Sequence, residues 1–113
     1  MINGVHALVY SRQADDVRAF FNDVLQWRSV DAGGGWLIFA TPPAELAVHP
    51  ADKNSHEFYL MCDHLERTVT ELEGKGIKLA RPIHEEPWGR VTALELPGGS
   101  VLGLYEPKHP TAI

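Results

Sequence analysis

At 113 residues and 12.5 kDa, the chain is long enough for one compact domain and too short for two of ordinary size. A hydrophobic fraction of 44% and a charged fraction of 22% are typical of globular proteins and exclude disordered and fibrous classes. The formal net charge of -5, with ten Lys and Arg residues scattered along the chain, argues against a nucleic-acid-binding protein.

The chain opens with a predicted strand followed by an amphipathic helix. Residues 5–10 are apolar and rich in β-forming side chains, which predicts a mostly buried strand with His6 near its start. After a crossover over residues 11–14, Asp15 and Asp16 place negative charge in the first turn of a helix, where the helix dipole favours it. Val17 then starts an apolar stripe with the spacing of one helical face. This spacing predicts a helix over residues 15–25 that packs against a sheet.

Three shorter strands are expected to complete the first half. They are predicted over residues 26–31, 36–40 and 45–49, separated by a Gly-rich turn and by a turn with paired prolines. The first half therefore has a predicted β-α-β-β-β order.

The second half repeats this order. Residues 56–62, HEFYLMC, predict a strand, and Asp63 with Glu66 three residues later predicts a capping box at the start of a helix. Further strands are predicted over residues 77–80, 90–96 and 101–106, with residues 81–89 as a long irregular loop.

The two halves run in register. His56 follows His6 by 50 residues, and Leu65 follows Val17 by 48, which indicates a duplicated supersecondary unit. We expect a single domain over residues 1–113, made of one module over 1–50, a linker over 51–55, a second module over 56–107 and a tail over 108–113.

The chain resembles the vicinal oxygen chelate superfamily, which includes glyoxalases, fosfomycin-resistance enzymes, extradiol dioxygenases and bleomycin-binding proteins. The resemblance rests on HALVY before the helix DDVRAFFNDVL, on PWGRVTALELPGG and on the final VLGLYEP. It implies an α+β fold of two tandem βαβββ modules whose curved sheets form a cavity, often in a homodimer. The superfamily hosts several chemistries on one scaffold, so the resemblance specifies the fold better than the function.

The same resemblance implies where a metal would bind. The first-strand ligands fall on His6 and His56, and the last-strand ligands fall on Ala47 and Gly103. Neither Ala nor Gly binds a metal through a side chain, so the expected His-His-carboxylate set is incomplete. His49 is a weaker candidate for a third ligand. The implied cofactor is one divalent ion, Zn, Ni, Mn or Fe, and otherwise none.

The two aligned histidines also fit a cavity without a metal. Neutral imidazole both donates and accepts hydrogen bonds, so it can bind a polar ligand group directly. The small Ala47 and Gly103 would widen the cavity, and aromatic side chains would form an apolar wall, although each aromatic also fits ordinary core packing. The predicted cavity residues are His6, Trp36, Ala47, His49, His56, Phe58, Trp88, Gly103 and Tyr105. No catalytic residue is predicted.

Three functions stay open at this point. The incomplete ligand set slightly favours a protein that binds a small organic molecule. The alternative is a divalent-metal-dependent glyoxalase- or dioxygenase-type lyase or oxidoreductase that uses His6 and His56. A lesser possibility is an interaction role through a dimer interface.

The expected partners are a small-molecule ligand and a second copy of the chain, without nucleic acid or a membrane. The lone cysteine, Cys62, excludes an intrachain disulfide and fits a reducing compartment. The first residues lack the pattern of a signal peptide, and no apolar run is long enough to span a membrane. We therefore expect a cytoplasmic location.

Overall fold

The structure is a computed structural model that describes residues 6–45 and 47–113. Its elements are α1 (Ala14–Ala19), a π-helical turn (Phe20–Val24), β1 (Ser29–Asp31), β2 (Leu37–Phe39), β3 (Tyr59–Met61), α2 (Leu65–Gly74), β4 (Leu79–Glu86), β5 (Gly89–Glu95) and β6 (Val101–Pro107). A two-stranded sheet contains β1 and β2, and a four-stranded sheet has the order β3-β6-β5-β4. The predicted α+β class is confirmed. Across these ranges, no helix has the length and apolar character needed to cross a membrane.

The α1 helix carries the predicted apolar stripe. Val17 is 4% exposed, and Phe20 and Phe21, which follow the helix directly, are 4% and 7% exposed. The chain then widens into the π-helical turn, where the Leu25 N–H donates to the Phe20 oxygen at 3.2 Å. Because the wider turn breaks the 3.6-residue period, Val24 and Leu25 at the end of the stripe are only partly buried.

The β1 and β2 strands form an antiparallel hairpin around the predicted Gly-rich turn. Gly33, Gly34 and Gly35 have φ angles of 124°, 62° and 88°, which glycine adopts without a steric penalty. The Asp31 carboxylate accepts a hydrogen bond from the Gly33 N–H at 2.7 Å, and this bond closes the turn.

The second half has the predicted β-α-β-β-β order. The β3 strand runs parallel to β6, and β5 runs antiparallel to both β4 and β6. The α2 helix buries Leu65, Val69 and Leu72 against Leu94 and Leu104 of the sheet. The stripe of α1 belongs to the same hydrophobic core, so helices from both halves stabilise one core.

The prediction of a long irregular loop over residues 81–89 is wrong for residues 81–86, which belong to a strand. The β4 strand spans Leu79–Glu86 and pairs with β5. Its register shifts between Leu79 and Arg81 and again between Arg81 and His84. Pro82 is tolerated within the second shift because β4 is an edge strand with irregular pairing.

The predicted capping box is also wrong. The residue before α2 is His64, and no side chain caps the helix in the local manner that the prediction assumed. Instead, the Leu65 N–H donates to Oε1 of Glu106 in β6 at 2.9 Å. A tertiary contact therefore satisfies a helix terminus that the local sequence assigned to Asp63.

The first half departs from the predicted strand pattern. Residues 6–10 and 47–49 form no strand, whereas Val5 and Leu46 lie outside the described residues. Tyr10 is 85% exposed and Val48 is 90% exposed. A strand depends on hydrogen bonds to a neighbouring strand, and these segments have no such neighbour in the part of the chain that the structure describes.

Candidate functional site

A cleft of about 940 Å³ lies along the outer edge of β3. Phe58, Tyr59 and Met61 line it from the edge strand, and Leu72 lines it from α2. Residues 41–45, with their paired prolines, also line it. Ligand pockets of drug-sized molecules have volumes of about 300–1,000 Å³ and mostly apolar walls, so the cleft is large enough for a small organic molecule.

Three aromatic rings beside the cleft form one cluster, made of Tyr59, Trp88 and Tyr105. The ring centroids of Tyr59 and Tyr105 are 5.7 Å apart, and those of Trp88 and Tyr105 are 5.4 Å apart. All three pairs meet edge to face, at interplanar angles of 70° to 82°. At these distances the rings contact one another and leave no space for a cation between them. The cluster is therefore a packed wall rather than an aromatic cage.

Gly103 in β6 allows the Tyr59 ring to lie directly on the sheet. The two residues are register partners in the β3 and β6 pair. A Cβ at position 103 would lie 2.3 Å from Cδ1 of Tyr59, which is inside the van der Waals limit. The space that the sequence interpretation left open above Gly103 is filled by this ring.

Acidic side chains outnumber basic ones around the cleft. The charged residues that line it are Glu45, Asp63, Glu71, Glu106 and Lys75. Burial raises the pKa of the Cys62 thiol, and the negative charges of Glu106 and Asp63 raise it further. This charge distribution favours a neutral or cationic ligand over an anionic one.

A series of contacts between polar side chains links the aromatic cluster to the cleft. The Tyr105 hydroxyl is 3.1 Å from Nε2 of His109, and the same nitrogen is 4.0 Å from Oε2 of Glu45. Burial raises the pKa of the Tyr105 hydroxyl, and the nearby charge of Glu45 raises it further. Tyr105 therefore stays protonated as a hydrogen-bond donor well above neutral pH.

Four of the nine predicted cavity residues lie at or next to this cleft. Phe58 lines it, and Gly103 supports the Tyr59 ring that also lines it. Trp88 and Tyr105 contact the same ring.

The other five lie outside the residues that line the cleft, and all are partly or fully exposed: His6, Trp36, Ala47, His49 and His56. Trp36 is 70% exposed, and the guanidinium carbon of Arg18 lies 5.6 Å from its ring centre. In residues 6–45 and 47–113, no group of three or more His, Cys, Asp or Glu side chains is arranged to hold a metal ion.

Sequence reasoning missed Tyr59, Glu45 and His109 as parts of the site. Tyr59 had a usable signal, because residues 59 and 61 share one face of a strand and face the same side as Gly103 in the paired strand. Glu45 and His109 had none, because their contact joins positions 64 residues apart through the path of the tail.

Comparisons with known proteins establish the fold. No protein-family model matches the chain. No curated protein matches it either. TnmS3, an antibiotic binding protein from Streptomyces sp. CB03234, has a solved structure that matches 95% of this chain and 98% of its own, at 21% identity and a TM-score of 0.67.

Two further solved structures have the same architecture. Lactoylglutathione lyase from Agrobacterium tumefaciens matches 92% of this chain and 92% of its own, at 16% identity and a TM-score of 0.65. A member of the glyoxalase/bleomycin resistance protein/dioxygenase superfamily from Sphaerobacter thermophilus matches 93% and 98%, at 20% identity and a TM-score of 0.63.

The chain is thus an α+β protein with an aromatic-walled cleft beside an edge strand. Its fold is that of the glyoxalase/bleomycin resistance protein/dioxygenase superfamily, also called the vicinal oxygen chelate superfamily. The resemblance predicted from the sequence is confirmed at the level of the fold.

Proposed function

We propose that this protein binds a small organic molecule in the cleft beside β3. The observation that carries the proposal is the cleft of about 940 Å³ with Phe58 and Tyr59 in its wall and the Trp88 and Tyr105 rings packed behind Tyr59. The likeness to an antibiotic binding protein at a TM-score of 0.67 supports it. The acidic lining favours neutral or cationic compounds that carry a flat ring.

A thermal-shift screen of such compounds, followed by calorimetry on the hits, tests this proposal. A ligand at one hundred times its Kd should stabilise the native state by about 2.7 kcal/mol. Phe58→Ala removes a ring that is 38% exposed in the cleft, and we expect roughly tenfold weaker binding from the lost apolar contact.

Trp36→Ala is the matched control, because Trp36 is a large exposed aromatic outside the cleft lining. Binding that is unchanged in Phe58→Ala and weakened in Trp36→Ala would place the ligand elsewhere. A screen in which no compound binds would count against a binding function altogether.

The second candidate is a divalent-metal-dependent lyase or oxidoreductase that uses His6 and His56. Its support is the pair of histidines at equivalent places in the two halves, together with the likeness to a lactoylglutathione lyase. Two histidines are one ligand short of the usual catalytic set, and Tyr59 fills the space at Gly103 where the carboxylate was expected. We therefore rank this candidate second and derive no reaction step from it.

Elemental analysis of untagged protein tests the second candidate. One divalent ion per chain that is lost in a His6→Ala, His56→Ala double variant would make the metalloenzyme the leading function. No ion bound by either protein would argue against it.

Assembly and location complete the proposal. We propose a homodimer, supported by exposed apolar side chains in residues 6–10 and 47–49, which form no strand. A cytoplasmic location is supported by the lone cysteine.

A further inference from the structure

The tail after β6 returns to the cleft and is held there by a hydrogen bond. Thr111 and Ile113 both line the cleft. Between them, the Ala112 N–H donates to Oε1 of Glu45 at 2.6 Å, across a separation of 67 residues. Glu45 also lines the cleft, so this hydrogen bond connects the tail to the segment that follows β2.

His109 provides a second tie between the tail and the site. Its Nδ1 lies 2.8 Å from the Pro110 carbonyl oxygen, which can only accept, so Nδ1 carries the hydrogen. In the neutral ring Nε2 is then an acceptor, and the Tyr105 hydroxyl donates to it at 3.1 Å. The same Nε2 is 4.0 Å from Oε2 of Glu45. His109 therefore lies between the aromatic cluster and the carboxylate that binds Ala112.

The two ends of the hydrogen bond between Ala112 and Glu45 differ in how well they are shielded from water. Residues 110–113 are exposed, and Ile113 is 59% exposed although it lines the cleft. The side chain of Glu45 is only 18% exposed. A segment with few buried apolar contacts opens at low free energy, whereas a shielded carboxylate keeps its position.

We propose that residues 109–113 form a strap along the cleft, that Glu45 is its clasp, and that release of the clasp admits the ligand. This inference rests on the proposed small-molecule function, because the strap regulates entry to the same cleft. When the strap is released, the Glu45 carboxylate loses its Ala112 partner and becomes available to a donor or cationic group of the ligand.

Amide hydrogen exchange in the full-length chain tests the clasp without any ligand. We expect the Ala112 amide of the wild type to exchange about tenfold more slowly than that of Glu45→Ala, because the variant lacks the acceptor. Glu45→Gln keeps an acceptor oxygen, so it should retain most of the protection. An unprotected Ala112 amide in the wild type would overturn the clasp.

Stopped-flow fluorescence with Nile red, a neutral polycyclic probe, tests the gate. We expect Nile red to enter Glu45→Ala about 3- to 10-fold faster than the wild type, since one hydrogen bond no longer opposes opening. Glu86→Ala is the matched control, because that carboxylate lies 3.4 Å from Nε2 of His84 on β4, outside the cleft lining. Its entry rate should equal that of the wild type.

The outcomes separate the two proposals. Equal entry rates for wild type and Glu45→Ala, with Nile red bound by both, would overturn the strap and leave the binding function standing. Binding by neither protein, nor by Glu45→Gln, would overturn the binding function and the gating role with it.

Discussion

Gly103 shapes the site because it has no side chain, which leaves room for the Tyr59 ring. A Cβ there would lie 2.3 Å from the Tyr59 ring, so any side chain displaces the ring. We expect Gly103→Glu, the substitution that restores the carboxylate implied by the superfamily resemblance, to lower the free energy of unfolding by about 1–3 kcal/mol through overpacking. Urea denaturation measures this change.

Gly74→Glu is the control for this substitution, because a Cβ at Gly74 meets nothing within 4 Å. It should change stability by about 0.5 kcal/mol or less. Adding Tyr59→Ala to Gly103→Glu should recover part of the loss, because the clashing ring is gone. A Gly103→Glu variant as stable as the wild type would mean that the Tyr59 ring is not held against the sheet.

Tyr105 offers a second prediction for a single residue. Burial and then the charge of Glu45 raise the pKa of its hydroxyl. Glu45→Gln removes the charge but not the burial, so we expect the pKa of Tyr105 to fall while staying above the ordinary tyrosine value. NMR titration of the tyrosine ring signals measures it, with Tyr105→Phe assigning the signal. An unchanged pKa in Glu45→Gln would place the carboxylate too far from Tyr105 to act on it.

At the scale of secondary structure, Arg90 in β5 connects its strand to α2 and β4 through ion pairs. Its guanidinium contacts the carboxylates of Glu66 in α2 and Glu85 in β4, the latter at 2.6 Å. The hydrogen bond from Arg90 lowers the pKa of Glu66, and Lys108 and then Arg90 lower the pKa of Glu85. Carboxyl groups with lowered pKa values stabilise the native state above their unfolded pKa and lose that contribution as the pH falls through the folded pKa.

We therefore expect Arg90→Gln to destabilise the protein at pH 7, by a difference that shrinks as the pH falls below about 4.5. Urea denaturation of both proteins from pH 3 to pH 7 measures the difference. Arg67→Gln is the control, because Arg67 is an exposed residue of α2 next to Glu66. It should leave the pH profile of stability unchanged. The groups are solvent-accessible, so the effect should also weaken at high salt. A pH-independent difference would assign the role of Arg90 to packing instead.

Some helices, strands and contacts could be predicted from the sequence, and others could not. The stripe from Val17 to Phe21 and the order of the second half follow from local periodicity and turn residues, so they were predictable. The cap on α2 was not, because the Leu65 N–H donates to the carboxylate of Glu106, which lies 41 residues further along the chain. For the site, Tyr105 was predicted from strand alternation, whereas the contact of Glu45 with His109 depends on the path of the tail and has no local pattern.

At the scale of the whole molecule, the two halves of the duplicated sequence differ in how completely they form their sheets. In the second half, the first strand β3 pairs in parallel with the last strand β6. The equivalent segments of the first half, residues 6–10 and 47–49, stay unpaired among the described residues. Their apolar side chains are exposed as a result, with Leu8 at 65%, Tyr10 at 85% and Val48 at 90%.

Exposed apolar segments of this kind are typical of an interface, and a stable interface buries about 1,200–2,000 Å². We therefore expect a homodimer that buries these side chains, and a Tyr10→Lys, Val48→Lys double variant that is monomeric. Light scattering over a concentration series measures the mass. Val30→Lys is the control, because Val30 is 66% exposed on β1 and outside both segments, so its mass should match that of the wild type. A monomeric wild type would contradict the predicted dimer and would require these segments to be covered within one chain.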